Sequence, residues 1–303
     1  MYQGGMISMK KIEYKPMLIS IILVLLIYYF YTPALNIHAI EFWIFLIVSL
    51  CIYGAASSYS SLIEKEINPK KLGYLGTVVA VIVVGILVTD LFTSKIFHAS
   101  RYASRIEVEN VKFNNKTLHE VDFSKTPIID RKSTVKLGDK VMGEIPEYVS
   151  QFEVSDDYTQ ISYKNSVYRV TPLEYASLFK YLTNSKNGIP AYITVNSTNG
   201  KAEIVKLKDL GLDGMKYVPS AILNHNLNRK LQLSYPTSIF GSPSFEVDEK
   251  GHPWYVCTTY TYFGVGNKKK VTGAVLFDPI TGKSKKYDKD KVPKWVDRVY
   301  PEE

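Results

Sequence analysis

Glu246 and Asp248 stand two residues apart, which in a strand puts both carboxylates on one face. Paired acids at that spacing can shift each other's pKa and divide general-acid and general-base work, the chemistry of an envelope hydrolase or transferase. The competing reading has Asp248 opening a turn and Glu246 solvated. Gly264-Val-Gly266-Asn-Lys-Lys-Lys270 gathers two glycines and three lysines. It lacks the Gly-Lys-Ser/Thr end and the following helix of a phosphate loop. It reads as a basic hairpin loop, with Lys268, Lys269 and Lys270 able to touch an anionic surface. Trp254, Tyr255, Tyr260, Tyr262, Phe263, Trp295 and Tyr300 crowd the last third of the chain. With Asp297 and Arg298 beside them, Trp254, Tyr255 and Trp295 suit a groove for a peptide or glycan. The alternative is sheet core with a docked C-terminal segment.

Other groups carry less. The five histidines, at 38, 98, 119, 225 and 252, have no ligand spacing. Asp209-Leu-Gly-Leu-Asp213-Gly is a fragment of a calcium loop. Asp156-Asp157 is a second acidic pair without a partner motif. Cys51 lies in an apolar run and Cys257 in the polar part, so neither a disulfide nor a thiol nucleophile is expected. No catalytic, cofactor or metal site is assigned from these patterns.

The elements that must position these residues divide unevenly. Three apolar runs, Met17–Leu35, Ile40–Ala56 and Tyr74–Phe92, approach the length that crosses a bilayer as a helix. Glu41 and Asp90 sit near run ends, where a transport role would need them to face a cavity. Lys10, Lys11 and Lys15 precede the first run, and Lys65, Lys70 and Lys71 follow the second. The link between the first two has neither Lys nor Arg. The positive-inside rule then places residues 1–16 in the cytoplasm, residues 17–94 in the membrane as three helices, and the rest outside. The net charge is +8, from 37 basic and 29 acidic residues. Signs alternate after residue 100, which reads as a solvated surface rather than a nucleic-acid-binding one.

Residues 95–115 read as a stem and 116–303 as an extracytoplasmic α+β domain. Within it, residues 116–139 are polar and turn-rich, and 148–154 alternate as a strand. Residues 160–164 and 167–170 flank a turn as a hairpin. Thr171-Pro172-Leu-Glu174 carries the signature of a helix start, with Tyr175, Leu178, Phe179 and Leu182 as one apolar stripe. A second helix is expected over Pro219–Leu233. After the first helix come strands 189–195 and 201–207. After the second come strands 244–247 and 254–262 about the turn 248–251, then strands 271–278 and 283–287. In each unit the last two strands flank a polar turn ending in Gly-Lys. The two turns are Asn196-Ser-Thr-Asn-Gly-Lys201 and Asp278-Pro-Ile-Thr-Gly-Lys283. The order predicts two helix-then-antiparallel-sheet units in tandem.

Those two turns resemble the turns of PepSY-like domains. Tyr235-Pro-Thr-Ser-Ile-Phe240, Phe245 to Val256 and Val292-Pro-Lys-Trp-Val-Asp-Arg-Val-Tyr300 look like an uncharacterised family of Gram-positive multi-pass membrane proteins. The resemblance implies a module that restrains or binds partners near the envelope and is not itself catalytic. The expected function is therefore a membrane-anchored binding or regulatory protein of the cell envelope. Its expected partners are the lipid bilayer and exported proteins, peptides or wall polymers. The rivals are the carboxylate-pair enzyme and an accessory subunit of a membrane complex or transporter.

Overall fold

The computed structural model describes residues 14–63, 69–94, 96–100, 110–112, 114, 122–123 and 126–300. The expected cytoplasmic N-terminus, residues 1–16, and the stem, residues 95–115, lie mostly outside them, as does His119. Three helices come first: α1 (Tyr14–Tyr31), α2 (Ile40–Ile63) and α3 (Pro69–Thr93). Two contain stretches long and apolar enough to cross a membrane, Ile40–Tyr59 and Leu72–Thr93. The expected first span, Met17–Leu35, is corrected to a shorter apolar helix, Pro16–Tyr31, which leaves two candidate spans rather than three. At 1.5 Å per residue that stretch covers roughly 24 Å against roughly 30 Å of hydrocarbon. The helix stops because Thr32 turns to a positive φ of 43° and Pro33 follows. None of the Leu72–Thr93 stretch is buried. Its polar hydroxyls fold back on the helix: Thr77, Thr89 and Thr93 each donate to the carbonyl four residues earlier, at 2.7–2.9 Å. Its apolar residues are thus exposed while these hydroxyls are satisfied within the helix, as a membrane-spanning helix requires.

Residues 126–300 form an α+β fold with two antiparallel sheets of five strands each. The first holds β1 (Phe152–Val154), β2 (Thr159–Tyr163), β3 (Ser166–Tyr175), β4 (Ala191–Asn196) and β5 (Ala202–Lys206). The second holds β6 (Ile239–Phe240), β7 (Ser244–Val247), β8 (Pro253–Phe263), β9 (Asn267–Phe277) and β10 (Ser284–Asp288). Their pairings are the same. β1 and β2 pair with the two halves of β3, as β6 and β7 do with β8. The ladders then run β3-β4-β5 and β8-β9-β10. A helix precedes each set: α4 (Arg131–Gly143) and α7 (Leu227–Ser234). The tandem order expected from the sequence is present, with a different phase.

The phase differs because burial overrides local signals. Thr171, Pro172 and Leu173 are buried inside β3, so the expected helix start is strand. The helix there, α6 (Leu178–Asn184), begins at Ser177, whose hydroxyl caps the Lys180 N–H. Of its expected core stripe, Leu178, Phe179 and Leu182 are 54%, 76% and 58% exposed, and Tyr181 is the residue turned inward. The helix expected over Pro219–Leu233 contracts to α7, capped by Asn226. The stretch expected to be turn-rich contains most of α4, capped by Asp130. Residues 146–149 are a helical turn, α5 (Pro146–Val149), before β1. One apolar core spans both units, with Tyr192, Phe245, Phe277, Leu173 and Ile193 among its fully buried side chains. The Tyr192 hydroxyl crosses between units to donate to the Gly251 carbonyl at 2.8 Å.

The folded region is tied to one end of the three helices. Arg229 donates to the Tyr29 carbonyl at 2.8 Å, and the Tyr29 hydroxyl donates to Asn224 at 2.8 Å. The turn between α1 and α2 bonds Pro236 and Thr237 through Leu35 and Asn36. The β8–β9 turn meets His38, and the Asn267 amide reaches Asp90 (2.6 Å) and Thr93 (2.7 Å) near the end of α3. The end of α1, the start of α2 and the end of α3 therefore share a side with the folded region. Asp90 serves that docking contact.

Candidate functional site

The site is assembled by the C-terminal segment, residues 292–300. It crosses the outer face of the second sheet, where Val296 packs with Val256, Ala274 and Leu276. Trp295 lies on Trp254, ring centroids 6.1 Å apart and tilted 41°. The fully buried Glu246 fastens the segment: its carboxylate accepts the Asp297 N–H at 2.9 Å and the Arg298 N–H at 3.0 Å. Burial pushes the Glu246 carboxyl up to about 7, against the lowering pull of those two N–H groups. Glu246 is therefore buried rather than solvated. Asp248 is occupied separately, accepting the N–H groups of Lys250 (2.9 Å) and His252 (3.0 Å) and the Trp254 indole (3.3 Å).

The segment then reaches the first sheet. Asp297 accepts the Ser162 N–H of β2 at 2.6 Å. This sets Arg298 and Tyr300 opposite Arg131 of α4 and Arg169 of β3, around a cleft of about 410 Å³. Gln160, Ile161, Val167 and Tyr158 complete its walls. Among the described residues none of the three guanidinium groups has a carboxylate partner. Arg131 donates to the Asp156 carbonyl at 2.9 Å. Arg169 donates to the Ile129 carbonyl (2.6 Å), the Thr134 hydroxyl (3.0 Å) and the Gln160 amide oxygen (3.3 Å). Arg298 has no side-chain hydrogen bond or ion pair among the described residues. Asp130, just before Arg131, is engaged as the cap of α4, its carboxyl held low by the Ser133 N–H and hydroxyl that it accepts. A guanidinium is a planar fork of donors that suits the oxygens of a carboxylate or phosphate, and three of them line this cleft.

The residues expected from sequence thus separate. Asp297 and Arg298 line the cleft. Trp254 and Trp295 pack on each other behind it and hold the segment in place. Tyr255, expected in a groove, is 2% exposed and belongs to the core, where it packs on Phe245. Lys268, Lys269 and Lys270 open β9 rather than forming a loop tip, beside the turn that meets the helix ends; Lys269 lies 4.0 Å from the Tyr260 ring. Arg131 and Arg169 were not singled out. An arginine between Tyr168 and Val170 in a strand and one in the first turn after a capping Asp were the available signals. Among the described residues no three His, Cys, Asp or Glu side chains group as metal ligands. No family model matches the chain, and no curated protein or solved structure is found to be similar to it.

Proposed function

We propose that the chain is a membrane-anchored, non-catalytic binding or regulatory protein of the bacterial cell envelope. Its folded region stands outside the cytoplasm and holds an anionic group of an exported protein, peptide or wall polymer. The observation that carries this reading is the arginine-lined cleft, with the Arg298 side chain unpaired among the described residues beside Arg131 and Arg169. The docking of the folded region on the helix ends away from the lysine-rich flanks supports the sidedness. The tandem helix-then-sheet units fit a PepSY-like module, and α2 and α3, with the shorter α1 packed on α2, fit a membrane anchor. The carboxylate-pair enzyme loses its footing, because Glu246 and Asp248 are both engaged in holding backbone.

Titration of the full chain in nanodiscs with fluorescent polyphosphate and, separately, a polyglutamate peptide tests the reading. At least one probe should bind in a salt-sensitive manner, and Arg298→Ala should weaken it by roughly tenfold or more, the scale of a lost charge-assisted hydrogen bond. Binding unchanged in Arg298→Ala, or absent for both probes, would contradict it.

A further inference from the structure

Helix α6 presents an apolar face that nothing in the folded region covers. Leu178, Phe179 and Leu182 fall within one arc of the helix, and all three are more than half exposed. Tyr181 points the other way, its hydroxyl 3.1 Å from His225 Nδ1 and 3.4 Å from the Ile222 carbonyl. The segment it touches, residues 222–229, is the one that meets the end of α1. Asn224 accepts from the Tyr29 hydroxyl, and the Arg229 guanidinium stacks 4.9 Å from the Tyr29 ring and 5.6 Å from Phe30. Between the two contacts sits Leu223, 51% exposed and held at a φ of +49°. A leucine in the left-handed region is strained, and such strain persists where the surroundings fix it. Here its carbonyl is fixed by Arg229 at 2.8 Å.

We propose that the Leu178–Phe179–Leu182 face and Leu223 seat in the interfacial layer of the membrane that α2 and α3 are built to cross. The inference rests on the membrane-anchored reading and extends it to the folded region's own surface. Two observations select lipid as the occupant. The helix that carries the face is tied, through Tyr181 and residues 222–229, to the aromatic end of α1, and Tyr and Trp rings favour the headgroup level. Its charge is also one-sided: residues 176–188 contain Lys180 and Lys186 and no acid. Lysines flanking an apolar face can extend toward anionic headgroups while their stems lie along it. The consequence is a second attachment that fixes the tilt of the folded region, and with it the direction in which the arginine cleft opens.

Site-directed spin labelling of the full chain tests this, in vesicles of phosphatidylcholine and phosphatidylglycerol. Labels go singly at Phe179→Cys and Leu182→Cys, in a Cys51→Ser background; Cys257 is buried and inert. Val81→Cys, inside α3, reports whether the chain is inserted, and Lys285→Cys on β10 reports a solvated surface. Labels at 179 and 182 should relax with lipid-soluble oxygen more than with a water-soluble nickel complex, and less deeply than the label at 81. If 81 lies in lipid while 179 and 182 behave like 285, the interfacial proposal is overturned and the anchor stands. If 81 itself behaves as aqueous, the membrane-anchored reading falls and this proposal with it.

Discussion

Glu246 is the residue on which the cleft depends, since its carboxylate positions the backbone of Asp297 and Arg298. Its burial raises the pKa from 4.5 to about 7. A raised folded pKa means the folded state favours the proton, so the contribution to stability is complete below the unfolded value and is lost as pH rises from 4.5 through 7. The full loss is roughly 3 kcal/mol at 1.36 kcal/mol per unit. Glu246→Gln should remove that slope: wild type loses thermal midpoint relative to the variant between pH 5 and pH 7.5. Parallel midpoints across that range would contradict the assignment. Asp248, by contrast, performs the turn-opening role its sequence position announces, because an aspartate can accept the N–H groups two and four residues on. Burial of Glu246 was not legible, since the groups that bury it come from a segment some fifty residues later.

At the scale of elements, local chemistry was readable where it had no competitor. Hairpins with Gly at the closing position formed as their turns dictate, Gly200 at φ 74° and Gly282 at φ 72°. The helix signal at Thr171-Pro172 failed because β3 lies between β1 and β4 and its residues are needed in the core. Helix α4 was hidden for the opposite reason: its buried face is Thr134, Gly138 and Met142, two of them not apolar by pattern. Gly138 is there because the Tyr158 ring packs against it, and a Cβ would collide with the Tyr158 hydroxyl. Gly138→Ala should therefore destabilise the fold by about 1–3 kcal/mol despite alanine's better helix propensity. Chemical denaturation of the full chain in detergent checks the sign; a stabilised variant would show that Tyr158 yields freely. Because Tyr158 and α4 also wall the cleft, the same variant should weaken anion binding.

The whole molecule is two units of the same strand pairing docked on the ends of three helices, and the likeness extends to single residues. Asn196 and Asp278 each cap their turn, accepting the N–H groups two and three residues on. The residues after them, Ser197 and Pro279, each accept two N–H groups from the strand-like segments at 128–129 and 216–217. The units differ in charge. Burial would raise the Asp278 pKa, but the His252 imidazole, the Thr281 hydroxyl and the N–H groups of Ile280 and Thr281 outweigh it and hold it at about 2. A lowered folded pKa stabilises above the ordinary carboxylate range and is lost as pH falls toward 2. Asp278→Asn should keep the turn, as Asn196 does in the first unit, and should lose the acid sensitivity between pH 4 and pH 2. A thermal midpoint falling as steeply as in wild type would contradict this. The order of the units was legible because each hairpin turn ends in Gly-Lys. The cleft was only half legible, because its arginines come from α4, β3 and the C-terminal segment, which meet only in the folded chain. The central claim is that this cleft faces the wall side of the membrane. Its most direct test is labelling of Lys164→Cys, on the exposed turn between β2 and β3, with a membrane-impermeant maleimide in intact cells carrying Cys51→Ser. Labelling before lysis is the predicted result; labelling only after lysis would place the cleft in the cytoplasm and contradict the account.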